Sequence, residues 1–335
     1  MNNHRLKLAG LAGLVVLTIF VMAYAIQAGT ANISVPELFK IFFTSSLPAV
    51  LESSKVIVMD IRLPRIIVGF MAGGILAVSG TAFQALLRNP LADPYILGVS
   101  GGAALGAVIS ITLKWSLING GLQFFAFSGA SATIFFVYFI SQVDGRVPKY
   151  KMLLAGVIVN AFLGALIMLL LSISGPELAS ASLFWLMGGL GGAGWREITS
   201  ILPYIIPGVV VLYGMSREMN LLVLGEESAA HLGINAERAK IILFVAASLI
   251  TGAIVSICGL IGFVGLVIPH GARLIWGADH RYLIPASMIM GGGFLILADT
   301  IARTVIAPAE LPVGVITAIT GGPVFVYLMK RRLQE

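Results

Sequence analysis

Little in this 335-residue chain is equipped for covalent chemistry. Its single cysteine, Cys258, excludes an internal disulfide and reads as a small apolar packing residue. No Ser/His pair, paired aspartates or H-E-x-x-H spacing converges, and no Cys/His cluster has metal-ligand spacing. The phosphate-gripping pattern G-x4-G-K-[ST] is also missing, so the chain has no nucleotide-hydrolysing loop of its own. What remains is recognition chemistry. Arg217 to Lys240 is a polar island of 24 residues holding seven of the chain's 36 Asp, Glu, Lys and Arg residues. Glu226 to His231 has helix-forming composition, Gly225 and Gly233 punctuate it, and Asn235 is placed to cap a second short helix from Ala236. Two short helices joined by a glycine would make a docking knob; the competing reading is a solvated loop.

The elements that must hold this island are apolar. The chain is 58% hydrophobic and 11% charged, with mean hydropathy +1.00, too much apolar surface for a soluble core. Long continuous runs specify an all-α integral membrane protein rather than a barrel. The expected spans are 8–28, 63–86, 97–113, 122–141, 151–173, 199–215, 241–258, 260–276, 283–302 and 312–329 within one domain, with the island as the loop 217–240. The first run is longer than a signal-peptide core, so it reads as a retained span. The 39 glycines suit close helix packing in lipid.

A net charge of +6 invites a nucleic-acid reading, but its distribution speaks of topology. With a cytosolic amino terminus, 14 of 21 basic residues fall on inner segments, which favours ten spans and both termini in the cytosol. Outside, Ser34-Val35-Pro36-Glu37 predicts a short amphipathic helix over Leu38 to Phe43. In the segment 174–198, Trp185 and Trp195 read as interface anchors. At an offset of 179, Gly73, Gly80, Leu87 and Pro90 match Gly252, Gly259, Leu266 and Pro269, a pattern with inverted-repeat character.

Two strings are specific: Arg88-Asn89-Pro90-Leu91-Ala92-Asp93-Pro94 with Leu97-Gly98-Val99-Ser100-Gly101-Gly102-Ala103, and Phe263-Val264-Gly265-Leu266-Val267-Ile268-Pro269-His270. Joined by Arg62-Leu63-Pro64-Arg65, Ala298-Asp299-Thr300-Ile301-Ala302-Arg303, Glu310-Leu311-Pro312-Val313-Gly314 and Gly322-Pro323-Val324-Phe325, they make the chain resemble permeases of the iron-siderophore, haem and cobalamin (type II) ABC importers. The resemblance runs from Arg62 to the end. It implies a homodimer with its path on the dimer axis, two ATP-binding subunits beneath, and a substrate-binding protein above. ATP and magnesium would sit on those subunits, and this chain would carry no cofactor.

The island then resembles the family's coupling loop, with Leu224, Gly225, Glu226, Ala230, Leu232 and Gly233 in the ATPase cleft. Arg62, Arg65 and Arg303 match positions that present guanidiniums to carboxylates of the binding protein. Two other uses stay open: snorkelling to lipid headgroups, and an i, i+4 pair of Asp299 with Arg303. By family position the fifth and tenth spans line the path, which singles out Asn160, Met168 and Ser172, with helix packing as the alternative. Lys149 and Tyr150 fall at the inner gate, where this sequence departs from the small hydroxyl residues of the cobalamin permease. His270 follows Pro269 as in family members whatever their cargo, so a structural hydrogen bond is preferred to a haem ligand. A gradient-driven secondary transporter is the rival reading, but it would want ionisable groups at the midplane, and only Asp299 approaches that. An intramembrane enzyme lacks a converging catalytic set.

Overall fold

The computed structural model describes residues 3–29, 31, 33–44 and 51–332. The helices in chain order are α1 (Asn3–Gln27), α2 (Val35–Phe43), α3 (Glu52–Val56), α4 (Leu63–Leu87), α5 (Val99–Thr112), α6 (Gly121–Ser141), α7 (Lys149–Ile173), α8 (Pro176–Leu186), α9 (Trp195–Gly214), α10 (Ser216–Leu224), α11 (Glu226–His231), α12 (Ala236–Cys258), α13 (Val264–Trp276), α14 (His280–Thr304) and α15 (Val313–Arg332). The described residues form no named strand. The all-α membrane fold read from the sequence is therefore what the chain adopts.

Each expected span falls on a helix, although not all are alike. Seven helical segments are long and apolar enough to cross a membrane by themselves, among them the continuous run Glu52–Leu87 that includes α3, a π-helical stretch at Ile57–Arg62, and α4. The remaining three, α5, α13 and Val313–Tyr327, are shorter. At 1.5 Å per residue the 14 residues of α5 reach about 21 Å, against a hydrocarbon core of about 30 Å. The amino-terminal approaches to α5 and α13, at Leu97 and Ile261, are buried among other helices, so the irregular backbone there meets protein rather than lipid, whereas Leu117 and Leu274 near their carboxy-terminal ends are exposed.

The bundle is organised around α4. Nearly every residue from Pro64 to Leu87 is buried, whereas α1 shows most of its surface. Small residues permit this closeness: a Cβ at Gly80 would lie 1.8 Å from the Gly265 carbonyl oxygen of α13. Because lipid tails are as apolar as leucine, such backbone approach supplies the packing energy that a hydrophobic effect supplies in water.

Two local expectations change. The helix at Ala236 is not a second short one: no proline follows Lys240 within the apolar run, the Gly252 there is accommodated within the helix, and α12 continues for 23 residues. The segment 174–198 holds a helix that the tryptophans alone did not suggest; Pro176 and Glu177 in its first turn are the signal for α8. The expected amphipathic helix is present as α2, with the Ser34 backbone N–H donating to Glu37 at 2.8 Å. That interaction holds the Glu37 carboxyl below its usual range. Thr30, Asn32 and residues 45–50 of the same segment lie outside the described residues.

Candidate functional site

At the carboxy-terminal end of α4 the polar island folds as α10, α11 and the start of α12. Gly225 joins the first two with φ +133°, a conformation side-chain-bearing residues rarely adopt. Asn235 caps α12 by accepting from the Arg238 N–H at 3.0 Å. The knob is anchored by Met219, Leu222 and Ala229, all buried, while Leu224 and Leu232 are 63% and 54% exposed. With Ala230 and Gly233, also exposed, they form an apolar surface facing away from the bundle.

Glu226 turns the other way. Its carboxylate meets Lys149 at 3.2 Å and Lys240 at 3.0 Å, and Lys240 also donates to Glu237 at 2.5 Å and to the Val147 carbonyl at 3.3 Å. Burial opposes the Glu226 charge, but the two ammonium groups outweigh it and hold its carboxyl below the usual value. Behind α10, Asn220 donates to Asp279 at 2.8 Å and accepts from the His280 N–H at 3.0 Å, tying α10 to the start of α14. A cavity of about 590 Å³ opens there, its lining including Gln84, Arg88, Asn220, Leu224, Arg273 and Asp279.

At the amino-terminal end of α4, Arg62, Arg65 and Arg303 are buried and engaged within the chain. Arg65 grips Asp299 through Nε and Nη2 at 2.8–3.1 Å, and its Nη1 reaches Glu310 at 2.9 Å. Arg62 donates to the carbonyls of Ile26, Gln27 and Ala31 at 2.6–2.9 Å, and Arg303 to that of Ala25 at 2.5 Å. Ala25, Ile26 and Gln27 close α1, so these guanidiniums satisfy carbonyls that the helix itself leaves open. The anticipated Asp299 and Arg303 pair is present at 3.5 Å.

The residues considered for a path are dispersed. Asn160 donates to the Tyr95 carbonyl at 2.9 Å and binds α7 to the turn before α5. Ser172 bonds back to Leu169 at 2.8 Å within its own helix. Met168 and Tyr150 are 68% and 67% exposed on α7. Three partners escaped sequence reasoning. Glu237 and Lys240 carry a legible i, i+3 spacing, but Glu310 lies 245 positions from Arg65, and no local pattern announces it.

The geometry is that of an apolar helical bundle with a projecting apolar knob at one end and a buried arginine network at the other. The sequence profile of the FecCD transport family matches residues 17–331. The chain is 48% identical over 281 residues to the cobalamin import system permease protein of Halobacterium salinarum, spanning 84% of this chain and 75% of that one. It is 40% identical over 281 residues to the hemin transport system permease protein of Yersinia pestis, spanning 83% and 84%. A solved structure described as an inward-facing conformation of a metal-chelate type ABC transporter aligns with TM-score 0.83 and 29% identity over 97% of this chain and 99% of that one. Sequence and fold thus agree over almost the whole length, and the chain belongs to the FecCD transport family, the membrane permeases of ABC importers whose ATPase is a separate subunit.

Proposed function

We propose that this permease imports a bulky metal chelate, an iron siderophore or haem in the first instance and cobalamin close behind, as a homodimer in the cytoplasmic membrane. Relatives named for cobalamin and hemin support that cargo range. Both termini are cytosolic in this reading, two ATP-binding subunits carrying ATP and magnesium attach at α11, and a substrate-binding protein docks at the opposite end of α4. The single observation behind the coupling assignment is the apolar face of Leu224, Ala230, Leu232 and Gly233, exposed inside the most polar segment of the chain. An apolar face on a braced, glycine-hinged knob suits docking into a cleft that then moves as a rigid body.

Docking of the binding protein at Arg62, Arg65 and Arg303 requires these groups to share or exchange internal partners. Arg65 is best placed for that, because its partner Glu310 is half exposed. The alternating path lies between protomers along α7 and α15, with Lys149 and Tyr150 at its inner mouth and Asn160, Met168 and Ser172 along α7. Uptake of ferric siderophore, haem or cobalamin into proteoliposomes, with and without the co-purified ATPase, tests the assignment. Uptake that needs both ATPase and ATP is the expected result; gradient-driven uptake by this chain alone overturns it.

A further inference from the structure

The two oxygens of Glu226 serve different segments. Oε1 meets Lys149, the first residue of α7, at 3.2 Å, and Oε2 meets Lys240 of α12 at 3.0 Å. The two lysines are not equivalent. Lys240 is buried and has a second acid, Glu237, at 2.5 Å, together with the Val147 carbonyl at 3.3 Å. Lys149 has Glu226 as its acidic partner among the ion pairs of the described residues. Removing the Glu226 charge therefore leaves the buried ammonium compensated while releasing α7. By chain connectivity, α11 reaches α7 backwards only through α10, α9 and α8, with the glycine at 225 as a hinge on the way. The side-chain contact is a far shorter route.

We infer that Glu226 is a positioning residue, a charge latch that yokes α11 to the inner end of α7 so that displacement of the knob is delivered to Lys149 and its neighbour Tyr150. The role rests on the docking of an ATPase at α11 proposed above. An ion pair suits it because it resists pulling in a defined direction and yet reforms after each cycle. An apolar contact at that half-exposed position would slide. The latch differs from the apolar face in kind: the face determines whether the ATPase attaches, and the latch determines whether its motion reaches the path.

The test uses the chain purified with its ATPase in proteoliposomes, offered ferric siderophore, haem and cobalamin. Wild-type uptake selects the probe. A wild type that neither retains an ATPase nor needs ATP defeats the docking assignment before any variant is made. Given a coupled wild type, Lys149→Met, which lies off α11, is expected to retain the ATPase and its hydrolysis rate, and Glu226→Gln is read by the same uptake ratio. Chelate taken up per ATP should fall about threefold, the weight of a half-exposed ion pair, and Lys149→Arg should restore most of it. Lys149→Cys with Glu226→Cys, in a Cys258→Ser background, provides a second measure, since a short bifunctional thiol reagent spanning the pair should recover the ratio. An unchanged ratio in both single variants overturns the latch. So does loss of the ATPase from Lys149→Met, or a tethered pair that stays uncoupled.

Discussion

Glu226 and Arg65 show two ways of keeping charge inside a membrane protein. Arg65 is buried and answers two carboxylates, Asp299 and Glu310, so each of its three nitrogens has an acceptor. Glu226 is half buried and spreads one charge over two lysines. Its folded-state carboxyl lies below the ordinary 4.5 because the two lysines outweigh the effect of burial. A lowered carboxylate value stabilises the fold above the unfolded value and loses that contribution as pH falls through the folded one. The stability difference between wild type and Glu226→Gln should therefore be full at pH 7 and be lost as pH falls from 4.5 through the lowered folded-state value. Thermal unfolding in detergent across that range checks it; a difference that grows in acid would contradict the assignment.

Among the elements, α4 carries the packing and its glycines set the distances. A methyl group at Gly80 has nowhere to go, since the Gly265 carbonyl sits 1.8 Å from where it would stand and both backbones belong to buried helices. Gly80→Ala should cost about 1–3 kcal/mol through forced separation of α4 from α13. Gly164→Ala on α7, where a Cβ meets nothing within 4 Å, is the control and should leave the unfolding temperature unchanged or raise it slightly, since alanine favours the helix. Equal effects of the two substitutions would mean that helix propensity rather than packing governs. The same closeness bears on α5 and α13, which are too short to span alone: neighbouring helices bury their amino-terminal approaches at Leu97 and Ile261.

For the molecule as a whole, the two polar networks stand at opposite ends of α4. One joins α4, α14 and the approach to α15 through Arg65, Asp299 and Glu310; the other joins α7, α11 and α12 through Glu226. If a binding protein docks by offering a carboxylate to Arg65, Glu310 is its competitor. Glu310→Gln should then tighten docking about threefold at low salt, with the gain fading as ionic strength rises. Titration of the permease in nanodiscs with its binding protein measures this, and unchanged affinity would remove Arg65 from the docking surface.

Composition and run length alone determined that the chain is a helical membrane protein, because burying that much apolar surface in water is impossible and one helix needs no distant partner for its backbone. The glycine and Asn235 signals likewise marked the ends of α11 and the start of α12, since capping is local chemistry. That locality also limited the reading: Arg62, Arg65 and Arg303 looked like surface cations, and only the folded chain showed them closing α1 and binding Asp299 and Glu310. Glu226 looked like part of the knob's outer face, and only the approach of α7 and α12 turned it inward. Charge pairing across hundreds of residues depends on which helices become neighbours, a matter that side-chain packing settles and linear spacing does not encode.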